Sequence, residues 1–88
     1  MTSPAWSKAE VYDRLRDVLV GEFGLRAEQV EPGAHLVNDL DLDSIDWIDM
    51  AVALEVQMGR ELREQDLSSI RTIQDVVDII HRKLHEDP

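Results

Sequence analysis

The sequence contains no cysteine, which excludes disulfides, thiolate metal sites and cysteine nucleophiles and gives no reason to place the chain in an oxidising compartment. No segment approaches the ~20 apolar residues needed to span a bilayer, and Met1-Thr2-Ser3-Pro4-Ala5-Trp6 lacks a basic region followed by an apolar run. The expectation is a soluble, cytoplasmic protein without membrane insertion. Cationic side chains are scarce: nine Lys and Arg stand against nineteen Asp and Glu, a formal charge of −10 at pH 7. Such a surface repels phosphate backbones and anionic lipid heads, so nucleic acid is the poorest of partners. It steers instead toward basic protein patches, although acidity also serves solubility alone. No stretch alternates as a half-buried strand would, and there is no internal repeat or low-complexity tract.

What is present is 88 residues with 43% hydrophobic positions, enough for one domain over 1–88 that buries roughly 60 to 65% of its unfolded surface. Ser7 with Glu10 forms a capping box, and Trp6 before it can pack on Val11 as a hydrophobic staple. Val11, Leu15, Val18 and Leu19 then draw one apolar stripe down a helix over about 7–23, which Gly24 stops. From Gly24 to Asp43 the periodicity disappears. Pro32-Gly33, Asn38 and Asp39 suit turns, and Leu25, Val30, Leu36, Val37 and Leu40 are apolar anchors that tie the loop to the core. A connection of about twenty residues exceeds the usual length, which points to a functional loop.

The segment 44–58 carries two apolar stripes. At 100° per residue, Trp47, Met50, Ala51, Leu54 and Met58 cluster on one side, and Ile45, Ile48, Val52 and Val56 lie near the other. In a domain this small only one stripe faces the core, so the Ile45 stripe is expected to be exposed for partners unless a neighbouring helix covers it. Gly59 supplies the stop. A short helix is expected at 64–69, with Leu62, Leu67 and Ile70 as anchors. Thr72 then caps a last helix over 72–85, with Ile73, Val76, Val77, Ile80 and Leu84 on one face and His81, Arg82, Lys83 and His85 at its negative end. The fold class is therefore all-α: a small four-helix bundle of three main helices and one short one, with a long loop between helices one and two.

The chemistry concentrates in Asp39-Leu40-Asp41-Leu42-Asp43-Ser44-Ile45-Asp46. A calcium loop starting at Asp39 would need glycine where Ser44 stands and a bidentate glutamate where Met50 stands, so it fails. A serine hydrolase needs Gly-x-Ser-x-Gly and a base, but Asp43 and Ile45 flank Ser44 and no histidine is near it in sequence. Acid/base catalysis needs a cleft that so short a chain has little room for. No catalytic or metal-binding residues are assigned; His35, His81 and His85 form no ligand constellation, though His81 and His85 share a helix face. Two readings of Ser44 stay open: a helix N-cap, or an exposed hydroxyl whose esterified phosphate would meet free backbone N–H groups and the positive end of the dipole. Asp41, Asp43 and Asp46 would repel that phosphate, so their expected role is to attract a basic enzyme.

With these residues in view, the sequence resembles the acyl carrier proteins, stand-alone carriers of fatty-acid and polyketide synthesis. The resemblance runs from about Val11 to Leu84 and rests on Asp43-Ser44-Ile45, similar to the family's Asp-Ser-Leu, together with length, charge, the long preceding loop and Thr72-Ile73-Gln74-Asp75. It implies that Ser44 carries 4′-phosphopantetheine from coenzyme A, with Asp43 orienting the phosphopantetheinyl transferase. Ile45, Asp46, Ile48, Asp49, Val52 and Glu55 would form a recognition helix for synthase enzymes of ketosynthase, acyltransferase or ligase type with basic docking patches. The protein itself would be a monomeric carrier rather than an enzyme. Alternatives are a peptidyl or aminoacyl carrier and a helical protein-interaction module with no prosthetic group.

Three positions depart from the family. Asp41 stands where glycine is usual, Val56-Gln57 where the housekeeping fatty-acid carriers have an acidic run, and Trp47 where a small residue often lines the acyl cavity. Trp47, Met50, Ala51 and Leu54 are the acyl-pocket candidates. An indole there would shelter a long saturated chain poorly and favour short, polar, aromatic or polyene cargo; the other reading is that Trp47 is simply core.

Overall fold

The computed structural model describes residues 6–59 and 61–85, the side chains of Ser44 and Glu64 excepted. Four helices follow one another: α1 (Lys8–Phe23), α2 (Ser44–Met58), α3 (Glu64–Ser68) and α4 (Ile73–His85), with a single 3-10 turn at Ala27–Gln29. The sequence reading missed that turn, whereas each of the four helices it expected is found with ends within one residue.

Local chemistry sets the ends. Ser7 Oγ accepts the Glu10 N–H and the Glu10 carboxylate accepts the Ser7 N–H, which fixes the start of α1. Gly24 and Gly59 take φ of 68° and 69° after α1 and α2, left-handed values that glycine adopts without a Cβ clash. Thr72 and Asp75 exchange the same reciprocal pair at the start of α4.

Helix α1 packs on α4 and on α2. The faces they share are those the periodicity marks: Val11, Leu15, Val18 and Leu19 from α1, Met50, Ala51, Leu54 and Met58 from α2, and Ile73, Val76, Val77, Ile80 and Leu84 from α4 are buried, joined by Ile79. Trp6 packs against this cluster, which contains Val11. Its ring also lies under the Arg14 guanidinium, and its carbonyl is 3.3 Å from Nε2 of His85, whose ring leans on that of His81 at 4.4 Å. The two C-terminal histidines thus hold the entry to α1.

The long loop is stitched down rather than merely anchored. Val30, Leu36 and Leu40 are buried as expected, and so are Ala34 and Leu42. Val37 corrects the expectation: it is 47% exposed, because Leu36 and Val37 point opposite ways from one turn and only Leu36 reaches the core. The loop backbone pairs with the start of α4, Leu36 N–H to Arg71 O, Ile73 N–H to Ala34 O and Gln74 N–H to Pro32 O, with an isolated antiparallel bridge between His35 and Thr72. Inside the loop, His35 Nδ1 accepts the Val37 and Asn38 N–H groups, and Asp39 accepts that of His35. Tyr12 donates its hydroxyl hydrogen to Val30 O, closing the loop onto α1.

Asp66 is the buried charged residue among the described residues. Its Oδ2 lies 3.0 Å from Lys83 Nζ and 3.0 Å from the Arg63 N–H, and its Oδ1 is 3.5 Å from Arg82. Burial pushes its carboxyl up, but the Arg63 N–H, the Lys83 hydrogen bond and the charges of Lys83 and Arg82 outweigh burial and hold it below the ordinary carboxylate value. This ion pair fastens the five-residue α3 to α4.

Candidate functional site

The acidic stretch becomes the entry to α2, and one residue in it has a backbone few residues accept. Asp41 has φ of +58°, the left-handed region, and it stands at the position where the family resemblance expects glycine. Aspartate tolerates that region better than most side chains. The reversal lets Leu42 N–H bond back to Leu36 O, buries Leu42 and delivers Asp43 to the helix start. A β-branched residue cannot follow. Asp41→Val is expected to cost about 1–2 kcal/mol, while in Asp41→Gly the relief of the left-handed cost and the extra chain entropy nearly cancel. Urea midpoints at unchanged slope measure both.

Asp43, not Ser44, is the N-cap. Its Oδ1 accepts the N–H groups of Ile45 and Asp46, each at 3.0 Å, and Asp46 Oδ2 returns a bond to the Asp43 N–H at 3.1 Å. Ser44 is therefore the first helical residue, relieved of the capping duty that one sequence reading gave it; its side chain lies outside the described residues. A second expectation is corrected by the same bonds. The Ile45 and Asp46 N–H groups are spent on Asp43, so an ester phosphate on Ser44 would find them already taken. Asp46 has a structural role besides the one expected of it, since its carboxylate completes the cap.

Beyond the cap the two stripes separate as the periodicity predicts. Ile45 (68%), Ile48 (59%), Val52 (55%) and Val56 (79%) are exposed, while Met50, Ala51 and Leu54 are buried to within a few per cent. No neighbouring helix covers the first stripe among the described residues. From Asp41 to Met58 the chain has five carboxylates and no cationic side chain. Among the described residues the ion pairs join Lys8 to Asp78, Arg16 to Asp13, and Arg82 and Lys83 to Asp66, leaving Asp46, Asp49 and Glu55 unneutralised. The exposed apolar row is thus set in a negative field.

Among the described residues, two cavities border α2. One, of about 500 Å³, runs between the end of α1 and the outer face of α2, lined by Glu22, Phe23, Asp49, Val52, Ala53, Val56 and Gln57. Phe23 and Val56 extend the candidate surface past the residues assigned from sequence; the stripe already contained Val56, but no local pattern could pair it with Phe23. The other, of about 330 Å³, lies beside the helix start, lined by Val37, Asp41, Leu42, Asp43 and Trp47. Of the acyl-pocket candidates, Trp47 lines this cavity and is only half-buried, whereas Met50, Ala51 and Leu54 are packed into the core. No group of three or more His, Asp or Glu side chains suited to a metal occurs among the described residues.

Known proteins match this sequence. A family model described as a phosphopantetheine attachment site matches residues 13–80. The chain is similar to acyl carrier protein 2 of Ralstonia nicotianae, 35% identical over 78 residues that span 89% of this chain and 96% of that protein. It is likewise similar to the acyl carrier proteins of Coprothermobacter proteolyticus, 35% identical over 89% of this chain and 95% of that one, and of Thermobifida fusca, 33% identical over 89% and 99%. With a family model spanning most of its length and relatives matched nearly end to end, the chain belongs to the acyl carrier protein family and is built around a phosphopantetheine attachment site.

Proposed function

We propose that Ser44 is the residue esterified with 4′-phosphopantetheine, and that the protein carries acyl groups between synthase enzymes without catalysing their chemistry. The observation that carries this reading is the position of Ser44 as the first residue of α2, between exposed Asp43 and exposed Ile45, inside the matched attachment region. The start of the helix fits such a group, since the cap is supplied by Asp43, whose Oδ1 accepts the Ile45 and Asp46 N–H groups. The bound group supplies a terminal thiol that holds an acyl chain as a thioester.

The chain's own part is presentation and docking. Ile45, Ile48 and Val52 offer contact area, and Asp46, Asp49 and Glu55 draw in enzymes with basic patches: the phosphopantetheinyl transferase, then ketosynthases, acyltransferases or ligases. Charge raises the encounter rate and a small apolar row keeps the affinity low, which suits a carrier that leaves each enzyme after one step. Incubation with coenzyme A, Mg²⁺ and a promiscuous transferase is expected to add one phosphopantetheine by intact mass, and Ser44→Ala to abolish the gain entirely. No gain in the parent protein, or a gain surviving in Ser44→Ala, overturns the assignment.

A further inference from the structure

We propose that the cavity beside the start of α2 holds the neutral, amide-bearing part of the pantetheine arm, so that the arm rests against Val37, Leu42 and Trp47 instead of extending freely into solvent. This rests on the assignment of Ser44 as the attachment residue.

Four observations select that occupant. The first is the tether. Asp43 adjoins Ser44 and Trp47 lies three residues on, a rise of about 4.5 Å along the helix, so the cavity is within the first few bonds of the ester. The second is charge. Asp41 and Asp43 at its edge oppose the phosphate, and the nearest helix N–H groups are already taken, so the anion stays outside. Carboxylates accept hydrogen bonds from neutral donors, and the arm has a secondary hydroxyl and two amide N–H groups. The third is the apolar wall. Val37 is 47% exposed although it sits in a loop whose other large aliphatic residues are buried or partly buried, and the arm's geminal methyls, next to the phosphate end, would cover it together with Leu42 and the indole. The fourth is an unmet donor. Trp47 Nε1 is buried and has no hydrogen-bond partner among the described residues, a state that ordinarily disfavours the fold. A turn of the indole that brings this edge to the cavity would let an amide carbonyl of the arm accept its hydrogen.

The cavity volume of about 330 Å³ is at the lower end for small-molecule sites and suits this segment of the arm better than the arm plus a long chain. A docked arm also places the cargo's starting point on the loop side of α2, away from the packed Met50, Ala51 and Leu54.

The test compares the apo and holo forms of the full chain by NMR, with holo formation checked first by intact mass. In the holo form, nuclear Overhauser contacts are expected between the arm's geminal methyls and the methyls of Val37 and Leu42. The Trp47 indole N–H resonance should shift, while that of Trp6, assigned through Trp47→Phe, stays in place. Val37→Asp, an exposed substitution, should fold and accept the arm yet lose the contacts to the Leu42 methyls. A holo protein without such contacts overturns the docking while leaving the Ser44 assignment intact, as do Leu42 contacts that persist in Val37→Asp. Absence of the mass gain overturns the Ser44 assignment and the docking with it.

Discussion

Asp66→Asn is expected to destabilise the fold by about 3 kcal/mol, the largest single loss among the substitutions considered. The carboxylate is 6% exposed, and its main partner Lys83 keeps only 14% of its side chain in water. Asparagine keeps the shape and can still accept the Arg63 N–H, but it leaves a largely buried ammonium without its carboxylate. Since α3 has only five residues and cannot persist by itself, loss of this clamp should release it from α4.

The pH dependence follows from the direction of the shift. The carboxyl titrates lower in the folded protein than in the unfolded chain, so the unfolded state takes up the proton first as pH falls. The contribution is complete above the ordinary carboxylate range near 4 and is lost as pH falls through the folded value below it. The urea midpoint of the parent should therefore fall more steeply in acid than that of Asp66→Asn, and the gap between them should narrow. Equal slopes for the two proteins would contradict the ion-pair account.

Ile48→Lys should leave stability within about 0.5 kcal/mol and yet lower kcat/KM for arm transfer by at least tenfold, about 1.4 kcal/mol in the transition state. Ile48 is 59% exposed, lysine is a good helix former, and its stem covers much of what the isoleucine side chain covers. What changes is the surface a basic enzyme meets: an apolar contact becomes a like charge in the middle of a field set by Asp46, Asp49 and Glu55. Val20→Lys on α1 alters net charge equally and should have a much smaller effect if docking is local to α2. The parent rate should also fall with ionic strength, and an unresponsive rate would argue against steering.

These two sites differ in how far the sequence announced them. The face carrying Ile48 is written in periodicity: residues spaced three and four apart fall on one side of a helix, and in so small a domain one of two stripes has to remain outside. The helices α1 and α4 were legible for the same reason, aided by Ser7-Glu10 and Thr72-Asp75 caps that act within one turn. The Asp66 clamp was not legible, because its partners Arg82 and Lys83 are sixteen and seventeen residues away and nothing local pairs them. The loop was half legible. Apolar residues marked Leu36 and Leu40 as anchors, but the bridge from His35 to Thr72 and the outward turn of Val37 depend on backbone pairing between distant segments.

At the proposed attachment site, residue identity carried more than local rules. Both Asp43 and Ser44 are good caps, and only the backbone shows that the aspartate takes the role one residue earlier, with Asp46 completing the box. Asp41 was marked by its departure from the family's glycine, and the structure shows why that departure matters: the position has φ of +58°, which glycine adopts freely and aspartate only at a cost. Trp47 was read as core with a possible role toward cargo, and it lies at the boundary, half-buried, with one polar atom unpaired.

The central claim, an acyl group held as a thioester on an arm at Ser44, is tested most directly by loading and release. The holo protein is charged enzymatically with an acyl group, treated with neutral hydroxylamine, and followed by intact mass. The account predicts an acyl mass on the holo protein alone, removed by hydroxylamine to leave the phosphopantetheine in place. An acyl group found on Ser44→Ala, or one that resists hydroxylamine, would contradict it.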